Sequence, residues 1–245
     1  MKKAMIFAAG LGTRLAPLTN DRPKALVELR GKSLLWHVSE RLAGEGFCDL
    51  TVNVHHFAQQ IKDYVHTGAF AHYIATNHLH VSISDESEQL LDTGGGLRKA
   101  TPLLFATDDA PVLIHNVDII SNARLAELHA AIGEADALLL ISQRQTSRYL
   151  LFDHNMRLAG WQNIQTGEVR PHDLDTGHLT PLAFSGIHVV SKRLVCSMAE
   201  WPSKFSIIDF YIANCHTLNI RGHIQPDLHL TDIGKIDTLR ELNSK

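Results

Sequence analysis

An α/β fold with a largely parallel central sheet covered on both faces is what this sequence predicts, and three observations lead there. Apolar, β-branched runs alternate with helical patterns at the spacing of βαβ units. The 245 residues suffice for one domain with a sizeable core. Only one stretch, in the middle of the chain, breaks the alternation.

Taken in order, the first strand is expected over 4–8, an apolar run that stops abruptly at Ala8-Ala9-Gly10-Leu11-Gly12-Thr13-Arg14. Leu34, Leu35, Val38 and Leu42 then recur at helical spacing behind Ser33, an N-cap residue, and Gly44 and Gly46 close the segment. Strands follow over 50–54, 81–84, 111–115 and 137–141, separated by helices over 57–65, 95–104 and 122–132. "YLLFDHNMRLAGWQN" reads as two short strands joined by a turn at Asp153-His154-Asn155, followed by a polar loop, so 149–182 is expected to be an inserted hairpin and flap within a single domain spanning 1–245. A strand over 183–190 and helices over 206–216 and 233–242 complete the chain.

Composition narrows the function. Hydrophobic residues at 44% and charged residues at 20% are ordinary globular values. No apolar run approaches the roughly 18 residues of a spanning helix, and Met1-Lys2-Lys3 leads into a run too short for a signal peptide. A cytoplasmic protein with no membrane partner is expected. Cys48, Cys196 and Cys215 are few and far apart, as befits reduced core thiols. The sixteen histidines, including His55, His56, His78 and His80, are scattered without zinc-site spacing. A formal charge of -3 gives no general attraction to nucleic acid, so a polyanion would have to be held by a local basic cluster.

That cluster is expected at the first strand's exit. In open parallel sheets ligands bind beyond the carboxyl ends of the strands. Gly10 and Gly12 let backbone amides approach phosphate, Arg14 adds forked donors and Lys24 can close over the same group. Alone, the two glycines would equally describe a tight turn. The dinucleotide fingerprint is not met, since no third glycine follows in register and the second strand runs into Asn53-Val54-His55 rather than an acid; nor is there a Gly-Lys-Ser/Thr P-loop.

From Ala8 to Thr19, and again at Pro23-Lys24, the chain matches Ala-Ala-Gly-x-Gly-Thr-Arg-x-x-Pro-Leu-Thr followed by Pro-Lys, and in this it closely resembles the sugar-1-phosphate nucleotidyltransferases. The resemblance implies a Rossmann-like three-layer α/β/α sandwich. It also implies that Ala9, Gly10, Leu11, Gly12, Thr13 and Arg14 hold a nucleoside triphosphate, and that Lys24 neutralises charge at its α-phosphate. In "QLLDTGGGL", Thr93 and Gly94 match the segment that meets the nucleobase, with Asp92 or Thr93 also readable as a helix cap.

"PVLIHNVDIISN" ends a strand in Asn116-Val117-Asp118, with valine where the family usually has glycine. The resemblance makes Asp118 a Mg²⁺ ligand, although it is also placed to cap the next helix; "HLTDIGKIDTL" supplies the second ligand, Asp232. Asn116, Gly186 in "LAFSGIHVV" and Asp209 in "KFSIIDFY" match sugar-side positions, Asp209 being equally a first-turn helix acid. The Glu-Lys-Pro lysine that holds the sugar phosphate in many members is replaced by Trp161-Gln162-Asn163.

The implied reaction joins a nucleoside triphosphate to a sugar 1-phosphate, with Arg14, Lys24 and Asp118 as the catalytic set, Mg²⁺ as cofactor and a monomer or small homo-oligomer as the assembly. Within the family the chain most resembles the uridylyltransferases of N-acetylmuramate 1-phosphate, with the guanylyltransferases of mannose 1-phosphate next. A non-catalytic nucleotide-sugar-binding protein is the alternative of another class. Retention of Arg14, Lys24, Asp118 and Asp232 weighs against it.

Overall fold

The computed structural model describes residues 1–244. The expected α/β class holds, and its parallel half follows directly from the sequence pattern. The first strand, β1 (Lys2–Phe7), is buried along nearly its whole length. A two-stranded ribbon, β2 (Glu28–Leu29) and β3 (Lys32–Ser33), leads to α1 (Leu34–Gly44), whose start is capped as expected: Ser33 Oγ accepts from the Trp36 amide at 3.0 Å. Next come β4 (Phe47–Val54), α2 (Ala58–His66), α3 (Gly68–Thr76) and β5 (His80–Asp85). After α4 (Asp92–Leu104) the chain returns to the middle of the sheet as β6 (Val112–Asn116), giving the parallel order β5-β4-β1-β6.

The second half departs from a simple alternation. Beyond the short β7 (Ile119–Ser121) and α5 (Leu125–Ala130), the strand β8 (Ala137–Ser142) leads into the expected hairpin. Its arms are β9 (Arg148–Phe152) and β10 (Leu158–Asn163), with β11 (Val169–Arg170) paired beyond them. The eleven-residue β12 (Thr180–Val190) stitches the parts together, running antiparallel to β6, β8 and β9. Two helices, α6 (Lys192–Cys196) and α7 (Ile207–Asn214), precede β13 (Ile220–Ile224), which lies parallel to β8. Last come β14 (Leu230–Asp232), antiparallel to β7, and α8 (Ile236–Asn243).

Side-chain alternation along these strands divides the core in two. On β1, Ala4 and Ile6 face one cluster, with Leu35, Val38, Phe70, Leu128 and Leu239 from α1, α3, α5 and α8. Met5 and Phe7 face the other, with Leu97, Leu194 and Phe210 from α4, α6 and α7. Helices therefore cover both faces, which is the three-layer arrangement. Several boundaries differ from the pattern-based expectation. The glycines of α4 lie inside the helix, which starts at Asp92 rather than at residue 95; the helix expected over 122–132 is confined to α5, with 122–124 in neither helix nor strand and 131–132 in a turn; α8 begins three residues late; and α3 and β13 were not anticipated. Among the described residues no helix is long and apolar enough to cross a membrane.

Candidate active site

The carboxyl ends of β1, β4 and β6 open onto a cleft of about 420 Å³. Ala9, Gly10, Gly12, Thr13, Arg14, Lys24, Thr93, Asn116 and Asp118 all line it, drawing together residues from four separated stretches. Gly12 makes the loop's shape: its backbone is left-handed, at φ +67°, and an added Cβ would come within 3.0 Å of Thr19 and 3.1 Å of Lys24. Thr19 Oγ1 donates to the Gly12 carbonyl at 3.0 Å, so the loop folds down onto the segment that delivers Lys24. Gly10 faces open space instead, with nothing within 4 Å of an added Cβ. Leu11 is exposed and does not line the cleft.

Lys24 Nζ donates to Asp118 Oδ2 in a close ion pair, with side chains only 11% and 16% exposed. Asp118 does not cap a helix. The chain continues from it into β7, whose partner β14 places Asp232 opposite Ile119, and the Ile233 amide donates to the Asp118 carbonyl at 2.8 Å. Asp232 in turn lies 3.8 Å from Arg14, an approach that Gly234 permits: a Cβ there would sit 2.8 Å from both Arg14 Nη atoms and from Asp232 Oδ1. Asp118, Lys24 and Arg14 thus line one end of the cleft, and Asp232, not itself among the lining residues, adjoins it through Arg14 and the β7–β14 pairing. Burial, then the negative charge of Asp118, pushes the Asp232 carboxyl above its ordinary value, while Lys24, Arg14 and Arg144 oppose the rise.

Such a pair of oxygen-only ligands fits a hard divalent cation that completes its shell with phosphate and water. Among the described residues no group of three or more His, Cys, Asp or Glu side chains converges as an all-protein metal site. The like-charge strain on Asp232 is of the kind that a bound cation relieves.

The glycine run serves packing. A Cβ on Gly94 would lie 2.2 Å from the Phe205 ring, on Gly95 2.3 Å from the Ser203 carbonyl, and on Gly96 2.6 Å from Glu86 Oε1. The Gly94 amide donates to the Phe205 carbonyl at 2.9 Å and Gly94 does not line the cleft. Thr93 does, while its hydroxyl accepts from the Ile207 amide at 2.9 Å. The N-cap position of α4 is Leu91, without a side-chain cap, so neither Asp92 nor Thr93 caps the helix; Asp92 lines the cleft with a left-handed backbone at φ +61°. Gly186, at φ +79°, lies beneath Asn116, whose Nδ2 would be 2.6 Å from an added Cβ. Asp209 is not in this cleft. It lies in the first turn of α7, on a second cleft, paired with Arg170 at 3.0 Å.

Sequence reasoning missed Asn53 and Lys204, which also line the first cleft, and Glu86 beneath it. Asn53 Oδ1 accepts from the Ala8 amide at 2.7 Å, Asn53 Nδ2 donates to Glu86 Oε1 at 2.7 Å, and Glu86 Oε2 accepts from the Leu91 amide at 3.2 Å. This buried brace fixes the entry of the glycine loop to β4 and the α4 entry. A polar residue near the exit of the strand beside β1 was the available signal.

The family model described as Nucleotidyl transferase matches residues 3–149. The chain is 33% identical over 216 residues to the N-acetylmuramate alpha-1-phosphate uridylyltransferase of Caulobacter vibrioides, covering 86% of this chain and 83% of that one. It is 32% identical over 155 residues to the mannose-1-phosphate guanyltransferase of Hypocrea jecorina, covering 62% of this chain but 41% of that one. Among solved structures, HddC from Yersinia pseudotuberculosis complexed with GMP-PN superposes with a TM-score of 0.77 at 19% identity, covering 100% of this chain and 99% of that one.

Proposed function

The chain belongs to the nucleotidyl transferase family and is a sugar-1-phosphate nucleotidyltransferase, and on that premise we propose that it transfers a uridylyl group from UTP to N-acetylmuramate 1-phosphate, releasing pyrophosphate. The observation that carries the chemistry is the meeting of Lys24, Asp118, Asp232 and Arg14 at the mouth of the glycine loop. The sugar rests on the match to the Caulobacter vibrioides relative, which extends over most of both chains.

In this reading the triphosphate lies along the loop from Ala9 to Arg14, with open space over Gly10 and forked donors from Arg14. Lys24, held by Asp118, offers positive charge where the α-phosphate would sit. Asp118 and Asp232 would hold Mg²⁺, which when bound supplies charge neutralisation for the phosphates. The sugar phosphate oxygen forms the new bond to the α-phosphorus as the bond to the β-phosphate oxygen breaks, and pyrophosphate departs with that electron pair. The attacking oxygen is already anionic, so the protein's contribution is positioning and electrostatics rather than proton transfer. Thr93 and Asp92 border the base, and Asn116 over Gly186 borders the sugar side.

Pyrophosphate release measured over UTP, GTP, CTP and dTTP against several sugar 1-phosphates tests both halves of the proposal. UTP with N-acetylmuramate 1-phosphate is expected to give the highest kcat/KM. Preference for GTP with mannose 1-phosphate, the activity named for the Hypocrea jecorina relative, would replace it. Nucleotide-sugar binding without turnover in any pairing would favour a non-catalytic role.

A further inference from the structure

A second cleft, of about 540 Å³, is walled by the hairpin and by α7. It adjoins the first through β12: Phe184 lines the second cleft, and Gly186, two residues on, supports Asn116 in the first. Thr93, at the edge of the first, is hydrogen-bonded to Ile207 of α7, which carries Ile208 and Asp209 into the second.

Its lining carries one more cationic side chain than carboxylates. Arg144, Arg148 and Arg170 face two carboxylates, Glu168 and Asp209. Both carboxylates are taken up by one arginine: Arg170 Nε donates to Glu168 at 2.7 Å and Arg170 Nη1 to Asp209 at 3.0 Å, while its guanidinium lies 4.8 Å from the centre of the Trp161 ring. Arg170 is therefore neutralised and fixed. Arg144 and Arg148 have no carboxylate partner among the described residues. Arg144 Nη2 donates to the Phe184 carbonyl at 2.9 Å, which ties it to the strand between the two clefts. Arg148 stands further out, at the start of β9, opposite Asn163.

From this we infer that Arg144 and Arg148 form a two-part anion seat that selects a sugar 1-phosphate carrying a second, carboxylate charge. Arg144, nearer the reacting centre, takes the phosphate in place of the lysine missing at Trp161-Gln162-Asn163. Arg148 pairs with the carboxylate. The inference rests on the proposed function, with the sugar extending from Asn116 over Gly186 into the second cleft, and it makes the hairpin the acid-selecting wall. Forked guanidinium donors suit both groups, and a carboxylate partner absent from a neutral sugar leaves Arg148 merely solvated.

Two substrate pairs differ mainly in the acid: N-acetylmuramate against N-acetylglucosamine 1-phosphate, and glucuronate against glucose 1-phosphate. Binding of all four is measured by calorimetry, and turnover with UTP separately, for the wild type, Arg148→Ala and Arg148→Lys. The acidic member of each pair is expected to bind more tightly. Arg148→Ala should reduce that acid-to-neutral ratio on the order of 10- to 100-fold, and Arg148→Lys should restore part of it. The ratio is taken within one preparation, so loss of folded protein cannot imitate the effect. Equal binding within both pairs, binding of none, or a ratio untouched by Arg148→Ala overturns the inference, whatever the turnover. An Arg148-dependent preference for acids without turnover would uphold the seat and overturn the proposed transferase substrate.

Discussion

The Ile233 amide donates to the Asp118 carbonyl across 2.8 Å, joining the loop after the central strand to the end of β14 and setting the two aspartates side by side. Neither side chain is a core residue, so each can be removed without opening a cavity.

Asp118→Ala and Asp232→Ala are each expected to lower kcat by on the order of 10²-fold or more, the scale of losing a group that organises transition-state charge. The circular-dichroism melt of Asp232→Ala should change little, whereas that of Asp118→Ala should fall. The Asp118 variant also leaves Lys24 without its partner, so it should lose more than the Asp232 variant. Near-normal turnover of either variant at saturating Mg²⁺ would remove that residue from the reacting centre.

Arg14 is 61% exposed and its link to Asp232 is long, so its contribution to stability should be within about 0.5 kcal/mol. Arg14→Ala is instead expected to reduce kcat/KM for the nucleoside triphosphate by roughly 10- to 100-fold, as loss of a charged hydrogen bond does. Kinetics and a urea melt on one sample separate these effects. A large stability loss with unchanged nucleotide kinetics would make Arg14 structural.

The glycines divide into two kinds. Gly94→Ala must displace the Phe205 ring and should cost about 1–3 kcal/mol of stability. Gly10→Ala meets nothing in the protein and should leave the melting temperature nearly unchanged while weakening triphosphate binding. The reverse pattern in paired melting and binding measurements would contradict this division.

Complete burial lowers His115 to about 4 and His188 to about 3. Unfolding returns both to roughly 6.5, so below that pH the unfolded chain takes up protons that the folded chain does not. Their stabilising contribution is present above pH 6.5 and is lost as pH falls toward their folded values, by at most about 1.4 kcal/mol per pH unit for each. Glu86 and Asp232, raised chiefly by burial, act with the opposite sign: they favour the folded chain in acid and penalise it as pH rises past their ordinary range. The first loss on acidification, from pH 6.5 to 5.5, therefore belongs to the histidines. His188 has neither ring nitrogen hydrogen-bonded among the described residues and sits against Phe7, Phe184 and Tyr211. His188→Phe should be tolerated at pH 7 and flatten the decline; an unchanged slope in chemical melts would exclude this account.

What was legible in the sequence was whatever depends on neighbours along the chain. The glycine loop, Ser33 before α1 and the alternating elements announce themselves because backbone conformation and helical spacing are local. Even there, the glycines after Thr93 misled: small residues permit a ligand's approach and a helix's close packing alike, and only the Phe205 ring decides between them. Long-range pairs left little trace. Three-residue strands such as β7 and β14 have too few positions to show a period, and the Asn53–Glu86 brace joins two strand exits that look unremarkable separately. Arg144 and Arg148 resemble ordinary surface charges until the hairpin folds them toward α7.

The β7–β14 pairing also has a consequence in time. The parallel block β5-β4-β1-β6 is complete by Asn116, yet Asp232 reaches it only once the chain has traversed the hairpin, β12 and β13 and returned. Such distant pairings form late, because the intervening loop must first be ordered. On the proposed role of Asp232, turnover is expected only once β14 has docked. In a refolding experiment, activity should recover after the fluorescence change of Trp36, which is packed beside α3; simultaneous recovery would show that the last strand docks with the rest.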